Sequence, residues 1–302
     1  MTQLHLNRKH ESKGKKESVA VLLAAYNGAI FIQQQISTIL KQKDVDIKIF
    51  ISIDLSSDNT YKICNDLEKK NKSIILLPYK NKFGCAAKNF FHLINEVDFN
   101  NFDYIALSDQ DDIWEKEKIY HAISQIKKFN VDGFSSDFIA FWENGKSEYI
   151  KKSWPQKKYD FLFESGGPGC TYVFKSSAIN LFKKFLKKNW QAANQIKFHD
   201  WLIYSYFRSN NLKWRIDNLP LIKYRQHLNN EFGSNSNLKD FIKRFNLIRE
   251  KWYINEIKKI NMLLNQKINF NFFFIVKNIF QLRRRPRDSF VLLLLTLFGL
   301  FK

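Results

Sequence analysis

Between Ser18 and Ser108 the chain alternates four strand-length apolar runs with three stretches of helical period, an order that few folds accept. The run SVAVLLAAY (Ser18 to Tyr26) ends in the turn signal Asn27-Gly28. Phe31, Ile32, Ile36, Ile39 and Leu40 then recur at helical spacing. Val45 to Asp54 predicts a second strand. Ser56, Ser57 and Asp58 offer N-caps for a helix through Lys70. Ser73 to Tyr79 predicts a third strand, Gly84 to Val97 a third helix and Phe102 to Ser108 a fourth strand. Apolar strands without polar alternation are those buried on both faces, and regular β-α alternation specifies an α/β fold: a doubly wound, mainly parallel sheet flanked by helices.

Such sheets bind ligands at the carboxyl ends of their strands. Here those ends release Tyr26 and Asn27, then Asp54, then Asn81 to Lys88, then Asp109, Gln110, Asp111 and Asp112. Three carboxylates in four positions repel one another unless a cation lies between them. Asp109 and Asp111 are two apart, so on an extended backbone their side chains point the same way and can share one divalent cation. The competing reading is the acidic first turn of a helix running from Trp114, but a cap requires only one carboxylate. No G-x-G-x-x-G follows the first strand and no G-x-x-x-x-G-K-[ST] occurs, so dinucleotide and P-loop readings lose their main support. A nucleotide could instead stack its base on Tyr26, donate from base or ribose to Asp54 and have its phosphates neutralised by a metal. Taken singly, Tyr26 could be a core aromatic, Asp54 a loop cap and Lys88 a solvated charge; their shared edge is what favours a site.

Four motifs in order carry a resemblance: Ala24-Ala25-Tyr26-Asn27-Gly28, Ile53-Asp54-Leu55-Ser56-Ser57-Asp58-Asn59-Thr60, Phe83-Gly84-Cys85-Ala86-Ala87-Lys88-Asn89 and Ser108-Asp109-Gln110-Asp111-Asp112-Ile113-Trp114. They resemble family-2 glycosyltransferases of the GT-A fold, in the rhamnosyltransferase-like branch of bacterial surface-polysaccharide assembly. The resemblance is strong over Ser18 to Trp114 and weaker to about Gly233. It implies a nucleotide-sugar donor, a dTDP- or UDP-sugar, contacted by Ala25, Tyr26, Asn27, Asp54, Lys88, Asp109, Gln110, Arg225 and His227. Asp109 would lie near the ribose or sugar, and Asp109 with Asp111 would hold Mg²⁺ or Mn²⁺ on the diphosphate. The family's usual Asp-Asp-Gly-Ser turn is Ile53-Asp54-Leu55-Ser56 here, which leaves one carboxylate for the base.

The second half is less regular. Gly133 to Trp142 predicts a fifth strand, Glu143 to Glu164 a polar and aromatic insertion over a site, and Thr171 to Phe174 a short strand. The breaker cluster Ser165-Gly166-Gly167-Pro168-Gly169-Cys170 would let backbone approach a ligand, or is an ordinary turn. His199-Asp200-Trp201 opens a helix with Asp200 as its N-cap. By the resemblance Asp200 is the general base for the acceptor hydroxyl, and Trp114, Gly167, Gly169, His199 and Trp201 border the acceptor and sugar. A strand from Trp214 to Tyr224 leads into Arg225-Gln226-His227, which the same branch sets beside the diphosphate.

From Asn237 the pattern is helical, with Pro286 separating two short helices. Of the net charge of +20, the stretch from Lys239 to Lys302 holds 14 basic against 4 acidic residues, 14 − 4 = +10, beside Phe- and Leu-rich segments. That is the pattern of helices lying in an anionic membrane interface, or of a helical pair capping the globular domain. No stretch reaches the ~20 apolar residues that cross a bilayer. Three cysteines without paired spacing fit a reducing compartment, and residues 1–17 read as a polar mobile leader without a signal-peptide core.

The expected organisation is therefore a glycosyltransferase domain over 18–236, with a nucleotide half (18–114) and an acceptor half (115–236), then a membrane-associating extension over 237–302. The expected activity is metal-dependent, inverting transfer of a deoxyhexose, rhamnose from its dTDP donor, to a lipid-linked glycan. The expected place is the cytoplasmic face of a bacterial membrane. A homo-oligomer is compatible with the sequence, and nucleic acid is not expected as a partner. A sugar nucleotidyltransferase would need a phosphate loop after the first strand, and a basic binding module would give no reason for Asp109 to Asp112.

Overall fold

A computed structural model describes residues 16–227 and 251–301. Most of the expected leader and the first part of the expected helical extension lie outside the described residues. The alternation read from the sequence is realised as β1 (Glu17–Ala25), α1 (Ile32–Leu40), β2 (Val45–Ile53), α2 (Thr60–Lys70), β3 (Ile74–Leu76), α3 (Ala86–Glu96) and β4 (Tyr104–Ser108). β1 runs parallel to β2 and β4 on either side. Its even residues Ala20, Leu22 and Ala24 pack into one apolar core with α3. Its odd residues Val19, Val21, Leu23 and Ala25 pack into a second core with α1 and α2. Both faces are therefore covered, which is why the run shows no polar alternation.

The next elements are β5 (Ile113–Trp114), α4 (Lys118–Phe129), β6 (Gly133–Ser136), β7 (Phe138–Trp142), β8 (Ser147–Ile150), α5 (Asp160–Phe163), β9 (Val173–Lys175), α6 (Ser176–Lys188), α7 (Trp190–Ala193) and α8 (His199–Ser209). They are followed by β10 (Trp214–Asp217), β11 (Ile222–Gln226), α9 (Trp252–Leu263), α10 (Phe272–Leu282) and α11 (Pro286–Leu297). The main sheet has the order β10-β6-β9-β4-β1-β2-β3, with β9 antiparallel to its neighbours β4 and β6. A smaller sheet, β5-β11-β7-β8, stands beside the end of β4. The fold class is the expected one.

Four local expectations are corrected, three of them by tertiary partners. The helix expected directly after the acidic cluster starts later, because Ile113 and Trp114 pair antiparallel with β11. Gly133 to Trp142 is two strands in different sheets. They break at Asp137, a buried carboxylate that accepts from the amides of Lys152 and Ser153 and from the Ser153 and Tyr149 hydroxyls. Trp214 to Tyr224 is likewise two strands, because β10 pairs with β6 in the main sheet and β11 with β7 in the smaller one, Pro220 lying between them. Thr171 belongs to a 3₁₀ turn, Gly169–Thr171, so the strand begins at Val173.

At the C-terminus, Asn271 caps α10 by accepting from the Phe274 amide at 2.8 Å, and Pro286 occupies the first turn of α11 as expected. Ile257, Ile260, Ile275, Ile279, Leu282 and Leu292 join the same core as α3 and α8. The opposite face of α10 and α11 is apolar and exposed, with Phe273 at 80% and Phe298 just beyond α11 at 76%. Among the described residues no helix is long and apolar enough to cross a membrane.

Candidate active site

The loops after β1, β2 and β4 interlock at one edge. The Tyr26 amide donates to Gln110 Oε1 at 2.8 Å, and Gln110 Nε2 donates back to the Tyr26 carbonyl at 2.9 Å. Gly28 makes room for this pair, since a Cβ there would fall 2.1 Å from Gln110 Oε1 and displace the amide. Asn27 turns the chain at φ 45°. Its Oδ1 accepts from the Ser57 amide at 2.8 Å, and its own amide donates to Ser56 Oγ at 3.0 Å. The Tyr26 ring is 55% exposed at this edge, which disfavours the core-aromatic reading and leaves a face for stacking.

Asp54 is buried at the same edge. Its carboxylate accepts from the amides of Leu55 (2.8 Å), Phe83 (2.9 Å) and Gly84 (2.7 Å). It therefore anchors the loop that precedes α3, and the lone carboxylate expected for the nucleotide base is already engaged by backbone. Lys88, exposed near the start of α3, lines an open groove of about 360 Å³ together with Lys82, Phe83 and Trp190.

The acidic loop is drawn against β11, more than a hundred residues away. Oδ2 of Asp111 lies 2.9 Å from His227 Nε2. Arg225 Nε donates to the Asp111 carbonyl at 2.9 Å, and its Nη2 donates to Gln34 Oε1 at 2.7 Å. Phe31 packs on both, with its ring 5.3 Å from that of His227 and 4.5 Å from the Arg225 guanidinium.

The pairing inside the loop differs from the expected Asp109–Asp111 couple. Ligand atoms of Asp109, Asp112 and Cys170 lie within 4.8 Å of one another, while Asp111 faces His227. Two apart on a strand would have put Asp109 and Asp111 on one side, but the chain turns at Gln110. Asp112 is 1% exposed, and among the described residues its side chain meets the Cys170 thiol and the Arg225 amide. Burial, with the charges of Asp111 and Asp109, pushes its carboxyl well above the ordinary range. Burial also pushes the Cys170 thiol up, so that it stays protonated. Crowded, buried carboxylates are hard donors that suit Mg²⁺ or Mn²⁺, for which a protonated thiol is a poor ligand. Beneath lies Lys118, whose buried ammonium sits 3.6 Å over the Trp114 ring. Burial lowers its pKa to about 7, against the pull of Cys170 and Asp112. Lys118 has no signal in the sequence, where it resembles any helical lysine.

The glycine-rich segment joins this cluster to α8. Gly169 packs against His199 so closely that a Cβ would fall 2.3 Å from Nε2. The His199 ring stacks on Phe90 at 4.0 Å, and burial lowers its pKa to about 3, so it is neutral. Gly167 has φ 138°, which only glycine adopts freely. The Tyr172 hydroxyl donates to the Asp200 carbonyl at 3.3 Å. Asp200 is in the first turn of α8 and not its N-cap, which is Phe198; its Oδ1 accepts from the Trp201 amide at 2.7 Å. Trp201 and Trp114 are buried, the former donating to the Phe161 carbonyl at 2.9 Å. Both pack into the apolar cores beneath the site, Trp201 into the one with α3 and Trp114 into the one with α1. Glu164, at the end of the expected insertion, is engaged by Arg284 through the Arg284 amide at 2.6 Å and Nη2 at 3.4 Å.

Comparison with known proteins identifies the family and the fold. The model of glycosyl transferase family 2 matches residues 20–188. The chain is 43% identical to a dTDP-rhamnosyl transferase, RfbG, of Shigella flexneri, over 92% of this chain and 100% of that protein. It is 28% identical to the UDP-Glc:alpha-D-GlcNAc-diphosphoundecaprenol beta-1,3-glucosyltransferase WfgD of Escherichia coli, over 82% of this chain and 91% of that one. Among solved structures, TarS 1-349 of S. aureus in complex with UDP-GlcNAc superposes with a TM-score of 0.53 at 16% identity, covering 94% of this chain and 80% of that one. The mannosyltransferase PcManGT of Pyrobaculum calidifontis, in complex with GDP-Man and Mn²⁺, gives 0.52 at 9% identity, covering 95% and 87%. These two likenesses concern the fold alone. With a parallel-dominated sheet, an acidic loop at its carboxyl edge and the family model spanning both, the chain belongs to glycosyl transferase family 2 and is a nucleotide-sugar-dependent glycosyltransferase.

Proposed function

We propose that the protein transfers rhamnose from a dTDP donor to a hydroxyl of a lipid-linked glycan, with inversion, during cell-surface polysaccharide synthesis. One geometric observation carries the reaction: the Asp111–His227 contact closes the acidic loop onto the Arg225 strand end and gathers donor-diphosphate chemistry in one place. The sugar and nucleotide rest on the full-length similarity to a dTDP-rhamnosyl transferase. A UDP-sugar is the alternative donor.

In this reading Tyr26 stacks on the base, while Ala25, Asn27 and Gln110 shape the edge that receives it. Asp54 holds the neighbouring loop, and Lys88, Arg225 and His227 face the phosphates. Asp109, Asp111 and Asp112 would hold a divalent cation, which when bound offsets diphosphate charge. On the opposite side Asp200 accepts the proton of the attacking hydroxyl, because a sugar hydroxyl is a poor nucleophile at neutral pH. His199 stays neutral beside it and adds no cation that would depress its basicity. Residues 18–114 serve the donor, 115–236 the acceptor, and the helices of 237–302 meet the membrane. The exposed Phe273, Phe280, Phe290 and Phe298 enter the interface, while exposed Lys277, Arg285 and Arg287 favour anionic headgroups on the cytoplasmic face.

The test is slow nucleoside-diphosphate release by the full chain from dTDP-rhamnose, UDP-glucose and UDP-GlcNAc, each with Mn²⁺ or with a chelator. Release from dTDP-rhamnose that requires the metal supports the reading. Turnover of a UDP-sugar alone reassigns the donor, and chelator-resistant turnover removes the metal.

A further inference from the structure

The turn between α10 and α11 carries two arginines that enter the core. Arg284 is 4% exposed. Its Nη2 donates to the Ser165 carbonyl at 2.6 Å, its Nη1 to Asp160 Oδ2 at 3.4 Å, and its amide to Glu164 Oε1 at 2.6 Å. Arg283 alongside donates from Nη1 to the Phe163 carbonyl at 2.9 Å and to the Tyr253 hydroxyl at 2.6 Å. Asp160 is held further by Arg208 Nη1 and the Tyr204 hydroxyl, both at 2.9 Å. The sequence left this basic stretch between an anionic membrane interface and a helical cap of the domain; two of its four arginines grip Phe163 to Ser165 from about 120 positions downstream.

Burying a guanidinium group is costly, and well-packed apolar side chains often fill such a site as favourably. What the fork supplies and an apolar side chain cannot is a fixed reach to named oxygens. The gripped segment is the entry to the loop Ser165–Cys170, whose glycines offer no side chains by which the core could hold it. Ser135 Oγ donates to the Gly166 carbonyl at 2.8 Å, and the Tyr204 ring lies where a Gly166 Cβ would approach to 2.9 Å. This loop touches both sides of the site: Cys170 meets Asp109 and Asp112, while Gly169 abuts His199, next to Asp200. Its placement therefore sets the separation between the acidic cluster and Asp200.

We propose that Arg284 is a positioning residue for sugar transfer, holding the Ser165–Cys170 loop so that Asp200 and the acidic cluster face one reacting centre. The proposal rests on the roles given to Asp200 and the acidic loop above. The C-terminal hairpin is on this account part of the catalytic unit and not a detachable tail.

Arg284→Lys tests it in the full chain, since lysine keeps a positive charge near Asp160 and Glu164 but cannot reach Ser165 and Asp160 together. Two readouts are needed. Amide hydrogen exchange should quicken in peptides covering 165–170 and stay unchanged in β1 and β4. With dTDP-rhamnose and Mn²⁺, kcat should fall ~10- to 100-fold, the order expected for a misplacement near 1 Å, while donor KM changes less than twofold. Unchanged exchange in that loop overturns the proposal whether or not the donor is turned over, which separates it from failure of the donor assignment. Quickened exchange with wild-type kcat overturns it too. If both Arg284→Lys and the uncharged, unbranched Arg284→Met lose near-ultraviolet circular dichroism, the arginine serves folding and the proposal falls.

Discussion

Oδ2 of Asp111 and Nε2 of His227 lie 2.9 Å apart although 116 positions separate them in the chain. The contact ties the acidic loop to the end of β11, so neither side chain is set by its own segment.

Removing the Asp111 carboxylate should therefore abolish the metal-dependent part of nucleoside-diphosphate binding and leave the fold intact. Calorimetry with dTDP, with and without Mn²⁺, should show a loss of tenfold or more in Asp111→Asn. His227→Ala should lose ~10- to 100-fold if the imidazole orients a ligating carboxylate. Equal affinities with and without metal in the parent protein would end the argument.

Asp200→Asn keeps the oxygen that accepts from the Trp201 amide but cannot take a proton. Transfer should drop ~10²- to 10⁴-fold, while donor affinity holds and stability changes by no more than ~1 kcal/mol. Near-normal transfer would assign Asp200 to the helix terminus alone.

His199 gives a pH dependence with a definite sign. Its folded-state pKa, lowered to about 3, lies below the unfolded value near 6.5, so the unfolded chain binds more protons between those limits. Stability is then complete above pH ~6.5 and falls as pH drops, by up to ~1.4 kcal/mol per pH unit from this group. Urea titrations at pH 7.5, 6 and 5 should show a shallower decline in His199→Phe. Parallel curves would show that the folded ring takes up a proton as readily as it does in the unfolded chain.

Asp160 is buried between Arg208 and Arg284, so Asp160→Ala leaves two guanidinium groups short of a partner and should cost ~3–5 kcal/mol. Thermal unfolding checks this. A loss below 1 kcal/mol would mean that the arginines find water when the carboxylate is gone.

Membrane contact should depend on single exposed rings. Phe273→Glu with Phe298→Glu should reduce co-sedimentation with anionic vesicles severalfold and leave donor hydrolysis unchanged, because neither ring packs in the core. Deleting residues 283–302 instead removes Arg283, Arg284 and Leu292 from the core and should unfold the protein. Undiminished vesicle binding by the double variant would move the contact elsewhere.

The sequence alone determined the α/β alternation of residues 18 to 108, the depth of β1, the acidic loop at the sheet edge and the break at Pro286. Each is written in local pattern: apolar runs bounded by turn residues, helical period, like charges at high density, or an imino acid without a donor. The tertiary structure decided what depends on partners far along the chain. Ile113–Trp114 is a strand only because β11 lies beside it, and the runs at 133–142 and 214–224 part because their halves join different sheets. Asp54, Trp201 and Arg284 look like site or surface residues in one dimension; long-range donors and acceptors take up their polar groups in three. Periodicity reports which face of an element is apolar, but it carries no record of which distant backbone carbonyl or amide will claim a buried charge.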